Sequence, residues 1–203
     1  MYKHTDHEKV VAVISSCPTL EDRFALALCY QHAMRVTELR HVRVRDFADG
    51  HIRIAALKGG KVATQRLIES PFSEPEMLAA LEHERRVTGR SWSPDDYLFA
   101  MSPEYLKRKG RKNPFKSRAY YWRLLQRLAP VAGIEKYLAH PHVLRHTAAY
   151  RIFDSAGGDD RHAAINIVQR YLRHENINNT AKYLEVNDQE ASDAAITAFG
   201  RKA

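Results

Sequence analysis

The stretch Leu20–Gln31, LEDRFALALCYQ, is apolar on nearly every face once its acidic first turn has passed. A helix of that pattern cannot lie on a surface, because each of its sides needs covering by another element. The rest of the chain must wrap around it. With 203 residues and 44% hydrophobic content there is enough apolar material to do so in one domain, expected to span 1–203. No apolar run approaches membrane-spanning length, and the charged N-terminus MYKHTDHEKVVAVISS lacks a signal-peptide h-region, so a cytoplasmic location away from membranes is expected. Cys17 and Cys29 are too few for a disulfide framework and sit among apolar neighbours, as buried thiols do.

Residues 51–57 and 62–68 alternate partly with period two around KGGK, which reads as a hairpin with Gly59 and Gly60 at the tip and Lys58 and Lys61 beside it. Met77, Leu78 and Leu81 suggest a helix over 75–87, and DDYLFA a short extended piece. The clearest helical period runs through Tyr120, Tyr121, Leu124, Leu125 and Leu128 until Pro130 and Gly133 end it. Two further helices carry Ala148, Ala149, Ile152 and Phe153, and then Ala164, Ile165, Val168 and Leu172. A last helix is expected over DQEASDAAITAF. The expected class is mainly α with a small antiparallel β-hairpin or sheet.

The formal charge of +8, with 11 histidines able to add to it beside a polyanion, makes nucleic acid the natural partner. Basic residues are densest at 106–118, where Lys107, Arg108, Arg111 and Lys112 either contact phosphates or line a solvated loop.

Three segments place cationic or imidazole groups beside turns and helix ends. In QHAMRVTELRHVRVRDF, Glu38 follows Arg35 by three residues and can orient its guanidinium while leaving donors free; a purely structural Arg–Glu pair is the alternative. In HPHVLRHT the proline favours a helix start, so His142 and Arg145 share the face of a first turn, where a helix N-terminus already favours anions. A metal site built from His140, His142 and His146 is the rival there, with no carboxylate or cysteine cluster near it in sequence. The third segment, YLRHENINNTAKYLEV, carries His174 and Tyr183; it departs from the zinc-protease H-E-x-x-H pattern at Asn178.

Taken in order, these features resemble the catalytic domain of the tyrosine recombinases, the phage integrase family, over residues 20–186. AMRVTELRHVRVRDF is similar to the family's Gly-x-Arg-x-x-Glu-Leu box with Ala33 at the glycine, a replacement that a negative φ would make tolerable. PHVLRHT resembles its His-x-x-Arg-His box, and YLRHENINNTAKY its Leu-Gly-His…Tyr box with Arg173 at the glycine. The resemblance implies that Arg35 and Arg145 clamp the scissile phosphate and that Glu38 supports them. It makes Lys58 the general acid, His142 a proton-transfer partner, His174 a phosphate hydrogen-bond donor and Tyr183 the nucleophile. Lys61 could exchange roles with Lys58. Arg43, Lys61, Lys107, Arg108, Arg111, Lys112 and Arg173 are the expected DNA contacts, although Arg173 could instead crowd His174.

The implied activity is site-specific cleavage and rejoining of double-stranded DNA through a 3′-phosphotyrosyl intermediate, with no metal, cofactor or ATP. The implied assembly is a homotetramer on two sites, monomer or weak dimer when free, at the nucleoid. The separate N-terminal core-binding domain of most members is expected to be absent, as in the short fimbrial phase-variation invertases, and the tail 187–203 to dock within or between subunits. A type IB topoisomerase-like enzyme and a non-cutting DNA-binding regulator are the alternatives.

Overall fold

Helix α2, Leu20–Gln31, runs through the middle of the molecule in the computed structural model, with Phe24, Leu26 and Leu28 wholly enclosed. The structure describes residues 4–55, 62–110, 112, 114–157, 161–174 and 180. Thr19 starts the helix, its Oγ1 accepting from Asp22 N–H at 3.1 Å and so satisfying one of the first-turn donors. Enclosing a leucine or phenylalanine side chain contributes roughly 1.5–3 kcal/mol, so these side chains hold the surrounding elements onto α2.

Those elements are helical. Helix α1, His7–Ser15, turns Val10, Val13 and Ile14 inward and packs on α2 and on the 3-10 turn Ala129–Ala132. Helix α4, Glu74–Val87, covers another side of α2 through Met77 and Leu81. Helix α6, Arg118–Leu128, buries Tyr121, Leu124, Leu125 and Leu128, and the chain leaves the following turn at Gly133, whose φ of +61° suits glycine. Helices α7, Pro141–Gly157, and α8, Arg161–Tyr171, pack on each other, and α7 also lies against α2. The shorter α3, Val36–Leu39, and α5, Pro103–Arg108, complete the helices among the described residues. None is long and apolar enough to cross a membrane among those residues.

The hairpin is present as β2, His51–Ile54, antiparallel to β3, Ala63–Arg66, with His51 opposite Arg66 and Ile54 opposite Ala63. Buried Ile52 and Ile54 alternate with exposed Arg53, which fixes the face turned to the core. A third strand not read from the sequence, β1, Phe47–Ala48, adds to the edge, giving the order β1-β2-β3. Asp49 and Gly50 join β1 to β2 with φ of +50° and +70°, the left-handed pair of a tight hairpin turn. DDYLFA makes isolated bridges, Arg43 to Tyr97 and Ala100 to Phe115, in place of a strand. Cys17 and Cys29 are free and buried, and burial pushes both thiols up to about 12.

Candidate active site

The site is built around the carboxylate of Glu38, which is buried. Helix α2 ends at Gln31, the chain turns through Ala33, and Arg35 sits at the N-cap of α3 with Glu38 three residues on. Glu38 Oε1 accepts from Arg35 Nη1 at 2.8 Å, and Oε2 accepts from the Arg35 backbone N–H at 2.8 Å. Oε2 also accepts from Arg173 Nη2 at 2.8 Å, and Arg145 Nη1 lies 3.9 Å from it. Burial alone would raise the Glu38 carboxyl, but Arg173, the Arg35 N–H and Arg145 outweigh it and hold it below the usual range. The carboxylate is therefore charged at neutral pH, and three guanidiniums face it.

Arg145 reaches this point from the first turns of α7, which begins at Pro141 as the proline suggested. Its side chain is buried; Nη1 donates to the Ala33 carbonyl and Nη2 to the Leu172 carbonyl at 2.5 Å. His142, three residues earlier, is exposed, so the pair divides between interior and surface where the sequence suggested one shared direction. The His142 ring stacks on His146, with centroids 6.3 Å apart. His174 follows α8, and its Nδ1 is 3.0 Å from Thr180 Oγ1.

These imidazoles share one cationic basin. Loss of surrounding water and then Arg145, Arg35, Arg173 and His146 push His174 down to about 3. Loss of water, His142, Arg145, His140 and His4 bring His146 to about 4, and His142 is lowered by loss of water, His140, Arg145, Arg118 and Arg35. The named causes place Arg35, Arg145, His142, His146 and His174 within electrostatic reach of one another although they come from three distant segments. Neutral imidazoles beside fixed guanidiniums can each give or take one proton, while the guanidiniums supply permanent positive charge. No group of three or more His, Cys, Asp or Glu side chains among the described residues could hold a metal ion.

Two expectations need correction. Ala33 has φ of +47° where a negative value was required for an easy replacement of glycine, and Arg173, also at a family glycine, has φ of +58°. Both boxes thus keep the left-handed turn that glycine favours and fill it with larger residues. Arg173 does not lie at the surface as a DNA contact. Its side chain is 1% exposed and is bonded to Glu38 and to the carbonyls of His32, Ala33 and Tyr171.

Lys107, Arg108 and Lys112 are exposed, whereas Arg43 is half-buried, bonded to Tyr97 Oη at 2.9 Å and paired with Asp95 at 3.2 Å. Lys58, Lys61, Arg111, Tyr183 and the tail 187–203 lie outside the described residues. Sequence reading missed a buried chain of polar groups behind the site. His32 bonds Gln65 Oε1 through Nδ1 at 2.7 Å and Glu74 Oε2 through Nε2 at 2.8 Å, and Gln65 Nε2 donates to the Tyr171 carbonyl at 3.1 Å. The position of His32 beside the arginine box hints at it, but its partners lie too far along the chain to be paired by spacing. Lys116, from the basic run, also turns inward, 2.9 Å from Glu21 and 3.0 Å from Asp22.

Comparison with known proteins places the chain in a family. The model of the phage integrase family matches residues 3–190. A tyrosine recombinase of Pseudothermotoga lettingae is 31% identical over 85% of this chain and 52% of its own length. Type 1 fimbriae regulatory protein FimE of Escherichia coli K12 is 30% identical over 87% of this chain and 80% of its own. Among solved structures, XerH site-specific recombinase bound to its difH substrate in a pre-cleavage complex superposes with a TM-score of 0.70 at 21% identity. That match covers 98% of this chain and 55% of XerH. The chain therefore spans about half the length of the Pseudothermotoga relative and of XerH.

Proposed function

Because the chain belongs to the phage integrase family, we propose that it is a site-specific DNA recombinase, cutting and resealing double-stranded DNA through Tyr183. The observation that carries the reading is the meeting of Arg35 and Arg145, 110 residues apart in sequence, at the one buried carboxylate of Glu38. A phosphodiester repels nucleophiles, and charge grows on its non-bridging oxygens as the transition state forms. Two guanidiniums give that charge fixed planar donors which do not deprotonate.

In the proposed reaction the Tyr183 oxygen, its proton passed to His142 or to water, attacks phosphorus and forms a 3′-phosphotyrosyl ester. The bond from phosphorus to the 5′-oxygen breaks, and that oxygen leaves with a proton from Lys58, or from Lys61. A phenol of pKa about 10 needs the cationic basin to attack near neutrality. A 5′-hydroxyl from a partner duplex then attacks the ester and restores the phosphodiester, so bonds broken and formed match in kind and no ATP is spent. His174 donates to a non-bridging oxygen. Four subunits on two sites would supply the four cleavages of a full exchange.

The test uses genomic fragments of the source organism, nicked at random so that a cleaved end diffuses away and the ester is trapped. Wild-type protein should be recovered covalently bound to a discrete set of fragments, and Tyr183→Phe to none. Equal yields from both proteins, including none from either, would refute the assignment. Sequencing the captured fragments gives the target site.

A further inference from the structure

Arg173 occupies a position that the family fills with glycine, and its φ of +58° is one a side-chain-bearing residue adopts at a cost. Leu172 and Arg173 follow the last turn of α8, and a glycine there would relieve the backbone. What the arginine returns is visible in its contacts. Nη1 donates to the carbonyls of His32 at 3.1 Å and Tyr171 at 2.9 Å. Nη2 donates to the carbonyl of Ala33 at 3.1 Å and to Glu38 Oε2 at 2.8 Å. One planar group thus ties the turn before the arginine box to the segment carrying His174, and it neutralises the carboxylate on which Arg35 rests.

We propose that Arg173 is a positioning residue for strand cleavage, taking Glu38 Oε2 so that the Arg35 and Arg145 guanidiniums keep their places toward the scissile phosphate. The proposal rests on the recombinase reading above. Glu38 has two oxygens: the Arg35 side chain answers Oε1 through Nη1, while Oε2 is shared by the Arg35 backbone N–H and Arg173 Nη2. Without Arg173, Oε2 would draw a second donor from Arg35 or pull Arg145 from its 3.9 Å separation into direct contact. Either shift would move a phosphate clamp. The carbonyls of Ala33, His32 and Tyr171 would lose a shared donor, and with it the tie between the arginine box and the His174 segment.

A surface phosphate contact and a positioning residue fail differently. Arg173→Gly restores the family residue and removes the guanidinium. On a nicked fragment captured in the adduct experiment, single-turnover cleavage should slow by about tenfold to a hundredfold, the loss expected of a misplacement near 1 Å. DNA affinity and its salt dependence should stay as in the wild type. The acid limb of the rate should move to higher pH, because Glu38 has lost its strongest neutralising cation. Arg173→Lys should recover part of the rate, since an ammonium reaches Glu38 without holding the three carbonyls; it also carries the test if the glycine variant does not fold.

A readout free of cleavage separates this proposal from the reading beneath it. In urea unfolding followed against pH, the stability that wild type loses as pH falls below the ordinary carboxylate range should be smaller in Arg173→Gly, because the folded Glu38 carboxyl lies nearer its unfolded value, and Glu38→Gln should abolish that difference. Cleavage by both Arg173 variants at the wild-type rate overturns the positioning role, as does a fall in salt slope of about 0.9, the mark of a lost phosphate contact. Absence of any wild-type adduct overturns the recombinase reading and the cleavage role with it, whatever the unfolding shows.

Discussion

At Glu38 one carboxylate faces three guanidiniums, and the three differ in what they stand to lose. Arg145 is enclosed and holds two carbonyls from different segments. Arg145→Ala should destabilise the fold by about 3–5 kcal/mol, the cost of breaking a buried charged cluster on one side, read as a lower urea midpoint. The Arg35 side chain is 34% exposed, so Arg35→Ala should leave the midpoint near wild type while cleavage falls about a hundredfold. A large stability loss at Arg35 with cleavage intact would overturn its role as a phosphate clamp. The histidines add a pH dependence. His146 and His174 lie at about 4 and about 3 against an ordinary 6.5, so both are neutral in the folded protein near neutrality. The unfolded chain begins to bind protons near 6.5. Their contribution to stability is therefore complete above that pH and is lost as pH falls toward the folded values. The midpoint should drop as pH falls from roughly 7 toward 4, and His174→Gln should lessen the drop.

Helix α2 sets the tolerance of the whole fold at the scale of elements. Leu28 is wholly buried on it, and Leu28→Ala should cost about 2–5 kcal/mol through lost transfer energy and a cavity, whereas Thr19→Ala should cost about 1 kcal/mol through its lost cap. Thermal unfolding ranks the two. The same helix explains why so much architecture was legible in the sequence. Its pattern demands cover, and α4 and α7, which pack on it, together with α6 and α8, which pack on α7, announce themselves by residues such as Met77, Leu124, Ala149 and Val168 at helical spacing. What escaped was short or masked by charge. Helix α1 buries Val10, Val13 and Ile14 inside a segment whose ends look like a solvated terminus, and α5 occupies part of a run read only for its charge. Strand β1 is two residues long, so no periodicity can reveal it; only the Asp49-Gly50 turn does.

Across the whole molecule the order of the boxes pointed to Arg35, Arg145 and His174, but nothing in that order says which way a side chain points. Arg173, expected among the DNA contacts, and Lys116, within the basic run 106–118, are spent inside, on Glu38 and on Glu21 with Asp22. Only their partners, far off in sequence, could have told them apart from Lys107, Arg108 and Lys112, which are exposed. The net charge of +8 therefore overstates what a DNA backbone would meet at any one face. Each cation that neutralises a phosphate adds about 0.9 to the slope of log affinity against log salt, because it releases condensed counterions. If all three exposed residues contact phosphates, replacing Lys107, Arg108 and Lys112 together by alanine should lower that slope by about 2.7. Affinity would then fall alike on the captured site and on unrelated duplex, since phosphate contacts position without specifying sequence. Replacing Lys116 should leave the slope unchanged and lower the unfolding midpoint, because its charge is already matched within the protein. Titrations of both duplexes at several salt concentrations decide the matter. An unchanged slope in the triple variant would move the DNA surface away from α5, and a changed slope at Lys116 would mean that its pairing opens when DNA binds.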